Sequence, residues 1–156
     1  MATPRPTAPA ERPNSYSDEL LPNRPEPALG LAGMTLFESV SLVREGLPYS
    51  TLELLQASVE LSAAEMAKAL GIPERTLARR KTEGKLTAEE SDRLDRVTRI
   101  FHLGKDVLGE EAKIRSWLNA PNRSLGGVVP LELLDTDRGV RAIEEVLFRI
   151  EHGMYG

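Results

Sequence analysis

The sequence predicts an all-α protein, with two small helical units following a proline-rich tail. Three observations carry this reading. No segment sustains the alternation of apolar and polar residues that marks a half-buried strand. Apolar residues instead recur at spacings of three and four, the period of a helix face. Several of these runs open on Ser or Thr followed three residues later by Glu, and close on Gly.

Residues 1–33 hold seven of the eleven prolines (Pro4, Pro6, Pro9, Pro13, Pro22, Pro25 and Pro27) and few apolar side chains between them. Such a stretch cannot bury enough surface to offset its ordering entropy, so a disordered tail is expected. It is either a flexible leader or a proline-rich ligand. Order should begin near Met34. Leu36, Phe37, Val40 and Val43 lie at helical spacing and Gly46 stops the run. Pro48 opens a break. Ser50 with Glu53 reads as a capping box for a helix carrying Leu52, Leu55 and Val59.

Ser62 with Glu65 is a second box, starting a helix with Met66, Ala67 and Leu70 that meets Gly71. Ile72-Pro73 begins another, with Leu77 turned inward. Ala67, Gly71 and Leu77 stand where a helix-turn-helix needs them. The small residue lets the helices cross, the glycine takes a positive-φ turn, and the leucine locks the second helix on the first. Five basic residues (Arg75, Arg79, Arg80, Lys81 and Lys85) against one acid, Glu83, lie between 75 and 85. That concentration, in a chain of net charge −4, suits a recognition helix meeting phosphates and base edges. A solvated basic face on a structural hairpin is the other reading. On the DNA reading, Thr76, Arg79 and Arg80 are placed nearest the bases, and Arg75, Lys81 and Lys85 nearer the phosphates.

Thr87 with Glu90 opens a long helix carrying Leu94, Val97, Ile100, Phe101 and Leu103. Arg93, Arg96 and Arg99 alternate with Asp92 and Asp95, which reads as a solvated face. Leu94, Val97 and Phe101 serve either a dimer contact or packing inside the chain. Gly104 is the expected helix end, giving a helix-turn-helix and dimerisation unit at 34–103 and a second unit at 104–156. In the second unit Leu108, Ala112, Ile114, Trp117 and Leu118 line one helix, which Pro121 stops near Asn119. Gly126-Gly127 allows positive φ, Pro130 opens a short helix with Leu131, Leu133 and Leu134, and Thr136 lies in a capping stretch before Val140, Ile143, Leu147 and Ile150. Trp117 and Leu118 are expected in the core. Asn122, Arg123 and Ser124 are expected on the surface, either against a partner or holding the loop.

Composition removes other classes of function. The chain has no cysteine, so disulfides and thiolate metal sites are excluded. His102 and His152 share no metal-ligand spacing, and Gly126-Gly127 lacks the Lys-Ser/Thr of a phosphate loop. Adjacent acids such as Glu110-Glu111 point to different sides of a helix. No enzyme, cofactor or metal is expected. No apolar run reaches the roughly 18 residues of a membrane span.

The second unit resembles the toxin-binding domain of the Xre/MbcA/ParS family of bacterial type II antitoxins. The likeness rests on Trp117-Leu118-Asn119-Ala120-Pro121-Asn122, Leu125-Gly126-Gly127, Pro130-Leu131-Glu132-Leu133-Leu134 and Arg149-Ile150-Glu151-His152-Gly153. With the upstream helix-turn-helix, which resembles the Xre members, it covers residues 34–156. The resemblance implies a cytoplasmic bacterial antitoxin that blocks an NAD-consuming RES-domain toxin and represses its own operon by binding operator DNA. It further implies homodimers within a larger toxin–antitoxin hetero-oligomer. The alternatives are a helix-turn-helix transcription regulator whose C-terminal unit only dimerises, and an interaction protein with an inactive helix-turn-helix. Expected toxin contacts are Asn119, Asn122, Arg123, Ser124, Leu125, His152, Met154, Tyr155 and Gly156. An aromatic ring followed by a carboxylate, Tyr155 then Gly156, can imitate part of a dinucleotide in an NAD site. Removing residues 154–156 is therefore expected to impair neutralisation, measured as NAD loss in the presence of toxin. Full neutralisation by the shortened chain would exclude that role.

Overall fold

The computed structural model describes residues 34–154, so the tail at 1–33 and the last two residues lie outside it. The described residues form seven α-helices and two 3-10 turns. The only ladder pairings among them are two isolated bridges, Pro48 with Lys85 and Asn122 with Val128. No described helix is long and apolar enough to cross a membrane.

Local chemistry sets most helix ends. Helix α1, Leu36–Glu45, starts on a capping box in which the Thr35 amide donates to Glu38 at 2.7 Å, and it ends on Gly46. Helix α3, Ala63–Leu70, has the expected Ser62–Glu65 box, and α5, Ala88–Leu108, has the Thr87–Glu90 box. In the first two boxes the amide of the capping residue holds the glutamate below its ordinary pKa range. Between them, α2 spans Tyr49–Val59 and α4 spans Glu74–Glu83.

Helix α2 departs from expectation. Its N-cap is Pro48, with no side-chain cap, and Ser50 lies inside the first turn. A tertiary clamp replaces the expected Ser50–Glu53 box. The Tyr49 amide donates to the Gly84 carbonyl at 3.0 Å, and the Leu86 amide to the Leu47 carbonyl at 2.9 Å. The start of α2 is thus bonded to the segment after α4, and an orphan amide that sequence would assign to a side chain is satisfied by distant backbone.

Helix α5 is the spine. It packs against α1, α2, α3, α6 (Glu111–Leu118) and α7 (Asp137–Glu151). Leu94, Val97, Ile100 and Phe101 are all buried inside the chain, so these side chains are not a dimer surface. One apolar cluster runs from Leu47 and Leu52 through α5 to Ile114, Leu118, Val140 and Leu147. Gly104 does not stop α5, which continues to Leu108 and ends on Gly109 at φ +86°. A Cβ at Gly104 would lie 2.1 Å from Ile114 Cδ1, so this glycine is where α6 closes on α5. Leu108 consequently belongs to α5, and Ala112 is exposed.

The arginines of α5 are not a solvated row. Arg93 donates to the Leu70 carbonyl at 3.1 Å and pairs with Glu89 at 2.6 Å. Arg96 lies between Asp92 and Asp137, and Arg99 meets Glu144 at 3.2 Å. Asp95, beside them, is pushed above its ordinary range by burial. Arg96 and Arg99 face α7 because α7 docks there, and Arg93 faces the end of α3, which period and composition do not reveal.

Gly139, in the first turn of α7, is a second close approach. A Cβ there would lie 1.9 Å from the Leu133 carbonyl oxygen, and backbone cannot yield as a side-chain tip can. Gly139→Ala is expected to lower unfolding free energy by about 1–3 kcal/mol in urea titrations. An unchanged midpoint would contradict this packing.

Candidate functional site

Two surfaces are built from the expected residues. The first is the helix-turn-helix. Gly71 adopts φ +62°, and its amide and that of Ile72 close back on Lys68 and Ala67. Ala67 and Leu77 are buried between α3 and α4 as the spacing requires. From α5, Arg93 caps the turn through the Leu70 carbonyl. The turn is therefore held by its own backbone and by a side chain from a distant helix.

Arg75, Arg79, Lys81 and Lys85 are exposed on and just after α4, and Thr76 is half-buried. Arg79 and Lys81 make only loose pairs, with Glu83 at 3.8 Å and Glu53 at 3.5 Å. Both are free to exchange these partners for phosphate, because exposed pairs contribute little. Arg80 departs from its expected place beside the bases. Its Nε donates to both Glu90 oxygens, at 3.0 and 2.8 Å, and a terminal nitrogen donates to Glu83 at 2.9 Å. Only 16% of the Arg80 side chain and 10% of Glu90 is accessible. Arg80 thus fixes α4 to the first turn of α5 and is occupied by the fold.

Glu90 serves two helices. It accepts from the Thr87 amide at 2.9 Å, capping α5, and from Arg80, anchoring α4. Burial pushes its carboxyl up, but Arg80 and Thr87 outweigh burial and leave it below its ordinary range.

The second surface is a cleft of about 550 Å³ between the end of α5, α6, the following loop and α7. Leu108, Trp117, Val146, Ile150 and Met154 supply apolar walls, and Asn122, Ser124 and Arg149 supply polar groups. The loop forms because the Asn122 carbonyl accepts from Gly127 at 2.8 Å while its amide donates to Val128 at 3.0 Å. That closure requires φ of +73° and +82° at Gly126 and Gly127. The Asn122 side chain also accepts from the Ser124 amide at 2.9 Å, so it holds the loop as well as lining the cleft.

Of the expected toxin contacts, Asn122, Ser124 and Met154 converge on this cleft. Arg123 is exposed on the 3-10 turn Arg123–Leu125, while Leu125 is half-buried and packs on the core. Asn119 caps the end of α6 by donating to the Arg115 carbonyl at 3.0 Å, outside the cleft lining. His152 is exposed and lies over Phe148, ring centroids 4.0 Å apart. Tyr155 and Gly156 lie outside the described residues. Trp117 is half-buried and walls the cleft, instead of lying wholly in the core. Arg149, Val146 and Ile150 are cleft residues that sequence reasoning misses. Their spacing on α7 places them on one face, but only the docked loop identifies that face as a cleft wall.

The Arg80–Glu90 pair yields a pH-dependent prediction. A depressed carboxyl contributes stability above its unfolded pKa and loses it as pH falls through the folded value. At pH 7, Arg80→Ala should lower the urea midpoint well below that of Arg79→Ala. Arg79→Ala, on an exposed side chain, should stay within about 0.5 kcal/mol of wild type. The Arg80→Ala deficit should close as pH falls below the ordinary glutamate range, through the lowered value of Glu90, and its carboxyl protonates. A deficit that persists unchanged at low pH would contradict the role of the ion pair.

Comparison with known proteins finds a matched domain at each end of the described chain. Residues 38–99 match the antitoxin Xre-like helix-turn-helix domain, and residues 103–153 match the antitoxin Xre/MbcA/ParS C-terminal toxin-binding domain. An Antitoxin Xre of Yersinia enterocolitica is 31% identical over 125 residues, covering 79% of this chain and 82% of that protein. An Antitoxin Xre of Photorhabdus laumondii is 33% identical over 116 residues, covering 73% and 78%. A protein of Sphingobium named Prs ADP-ribosylating antitoxin is 24% identical over 128 residues, covering 76% and 80%. The exposed basic helix lies within the first matched domain and every cleft residue but Met154 within the second, and the chain belongs to the Xre family of antitoxins.

Proposed function

We propose that this antitoxin neutralises an NAD-consuming RES-domain toxin through the α6–α7 cleft and represses its own operon through α4, as a homodimer within a larger hetero-oligomer in the bacterial cytoplasm. The observation that carries the toxin half is the cleft itself. Its apolar floor with a polar rim suits a protein side chain, and it lies in the toxin-binding domain. The name of the Sphingobium relative ties that protein to ADP-ribosylation, chemistry that uses NAD, and this supports a toxin of the same class here. Asn122, Ser124, Trp117, Arg149 and Met154 are the proposed contacts, with Arg123 and His152 flanking them. Repression is supported by Arg75, Arg79, Lys81 and Lys85, which leave α4 a basic outer face. The proposed division of labour falls at 34–103 and 104–156, although the two units share one core.

Co-expression with the toxin of the adjacent reading frame tests both halves. Ile150→Arg, in the cleft, should abolish rescue of growth and leave operator affinity unchanged. Arg75→Ala with Arg79→Ala should weaken operator binding, reduce the salt slope by about 1 through the lost Arg75 phosphate contact, and leave rescue intact. Operator binding without any toxin complex would favour the regulator reading. Loss of both functions in either folded variant would overturn the two-surface assignment.

A further inference from the structure

The polar side chains of the α6–α7 cleft are unbalanced. They offer donors, and no carboxylate is among the described residues that line it. The Asn122 oxygen is taken by the Ser124 amide at 2.9 Å, which leaves the Asn122 NH2 group to donate. Ser124 adds a hydroxyl, and Arg149 is the one charged residue in the lining. Glu145, the partner of Arg149, sits one turn earlier on α7 and outside the lining. Both side chains of that pair are exposed, so it contributes little and exchanges readily for a better acceptor. The pair engages one terminal nitrogen of the guanidinium, which leaves the rest of its fork for a second carboxylate.

The end of α7 is shaped for the same ligand. The amides of His152, Met154 and Gly153 donate to the carbonyls of Phe148, Arg149 and Ile150, at 3.1, 2.9 and 3.2 Å. This closure turns on Gly153 at φ +65° and returns Met154 to the cleft wall. It also occupies carbonyls that would otherwise set the negative end of a helix against an anion. Arg149 therefore stands on a fixed backbone beside the apolar surface of Trp117, Ile150 and Met154. We infer that the cleft takes an acidic–apolar segment of the toxin. An aliphatic or aromatic side chain lies against Trp117 and Ile150, and a neighbouring Asp or Glu carboxylate is held by Arg149 and Asn122. A basic segment would meet Arg149 with no acid in the lining to offset it.

This inference rests on the cleft as the toxin surface and adds what the toxin must present there. The single tryptophan of the chain reports on the cleft directly. The full chain is labelled with fluorotryptophan, and its fluorine resonance is followed as unlabelled toxin from the adjacent reading frame is added. Wild type is compared with Arg149→Glu and Arg149→Lys, with helix content checked by circular dichroism. Wild type is expected to bind and to shift the resonance. Arg149→Glu should bind about thirtyfold or more weakly, and Arg149→Lys should recover part of the loss by restoring charge without the fork. Lysine is then placed at each Asp and Glu of the toxin in turn. One such toxin should be held poorly by wild type and better by Arg149→Glu, which identifies the carboxylate. Failure to form any complex overturns the neutralisation reading and this inference with it. A complex that leaves the resonance unmoved and ignores Arg149→Glu removes the toxin from the cleft. A complex that shifts the resonance but ignores Arg149→Glu, or a lysine series with no compensating member, overturns the carboxylate alone.

Discussion

Burial of α5 on several sides at once is the constraint on which the remaining geometry depends. Leu94, Val97, Ile100 and Phe101 are each buried, and each contributes on the order of 1.5–3 kcal/mol by leaving water. No single partner covers them, because α1, α2, α3, α6 and α7 all contribute. The helix must be straight, long and glycine-tolerant at one point. At that point Gly104 has no side chain, and Ile114 fills the space. A bulkier residue would separate α6 from α5 and widen the cleft that both helices frame.

The polar groups of α5 then fix orientation more than they add stability. Ion pairs of intermediate exposure contribute modestly, and those of Arg96 and Arg99 with α7 are of that kind. Their effect is geometric. Arg93 holds the helix-turn-helix turn, Glu90 holds Arg80 of α4, and Arg99 holds α7. The basic helix and the cleft are thus positioned from opposite ends of one element. Using Arg80 this way removes one cation from the exposed basic group, which leaves Arg75, Arg79, Lys81 and Lys85 on the outer surface.

The sites are unevenly legible in the sequence. Gly71, Leu77 and the Gly126-Gly127 loop can be read directly, since positive φ and a buried position leave a signature in residue type. The cleft can be read only in part. Asn122 and Ser124 stand out through the loop, but Arg149 and Ile150 sit on a regular amphipathic helix that looks the same whichever partner covers it. Trp117 escapes sequence reasoning for a related cause. A large aromatic is expected inside, yet a half-buried one can wall a cleft as well as fill a core.

Sequence alone determined what depends on a few neighbouring residues. Two of the three capping boxes, the helix period, the glycine turns and the order of the helices needed no tertiary information, because a cap or a turn is decided within about five positions. Tertiary structure decided everything that depends on which face meets which. It replaced the Ser50–Glu53 box with a backbone clamp to Gly84 and carried α5 through Gly104. It turned Arg80 inward to Glu90 and Arg96 and Arg99 toward α7, and it left Leu36 and Phe37 uncovered. Charge and hydrophobicity along a chain show that a residue can pair or be buried. Only the packed neighbours, far away along the chain, supply the partner.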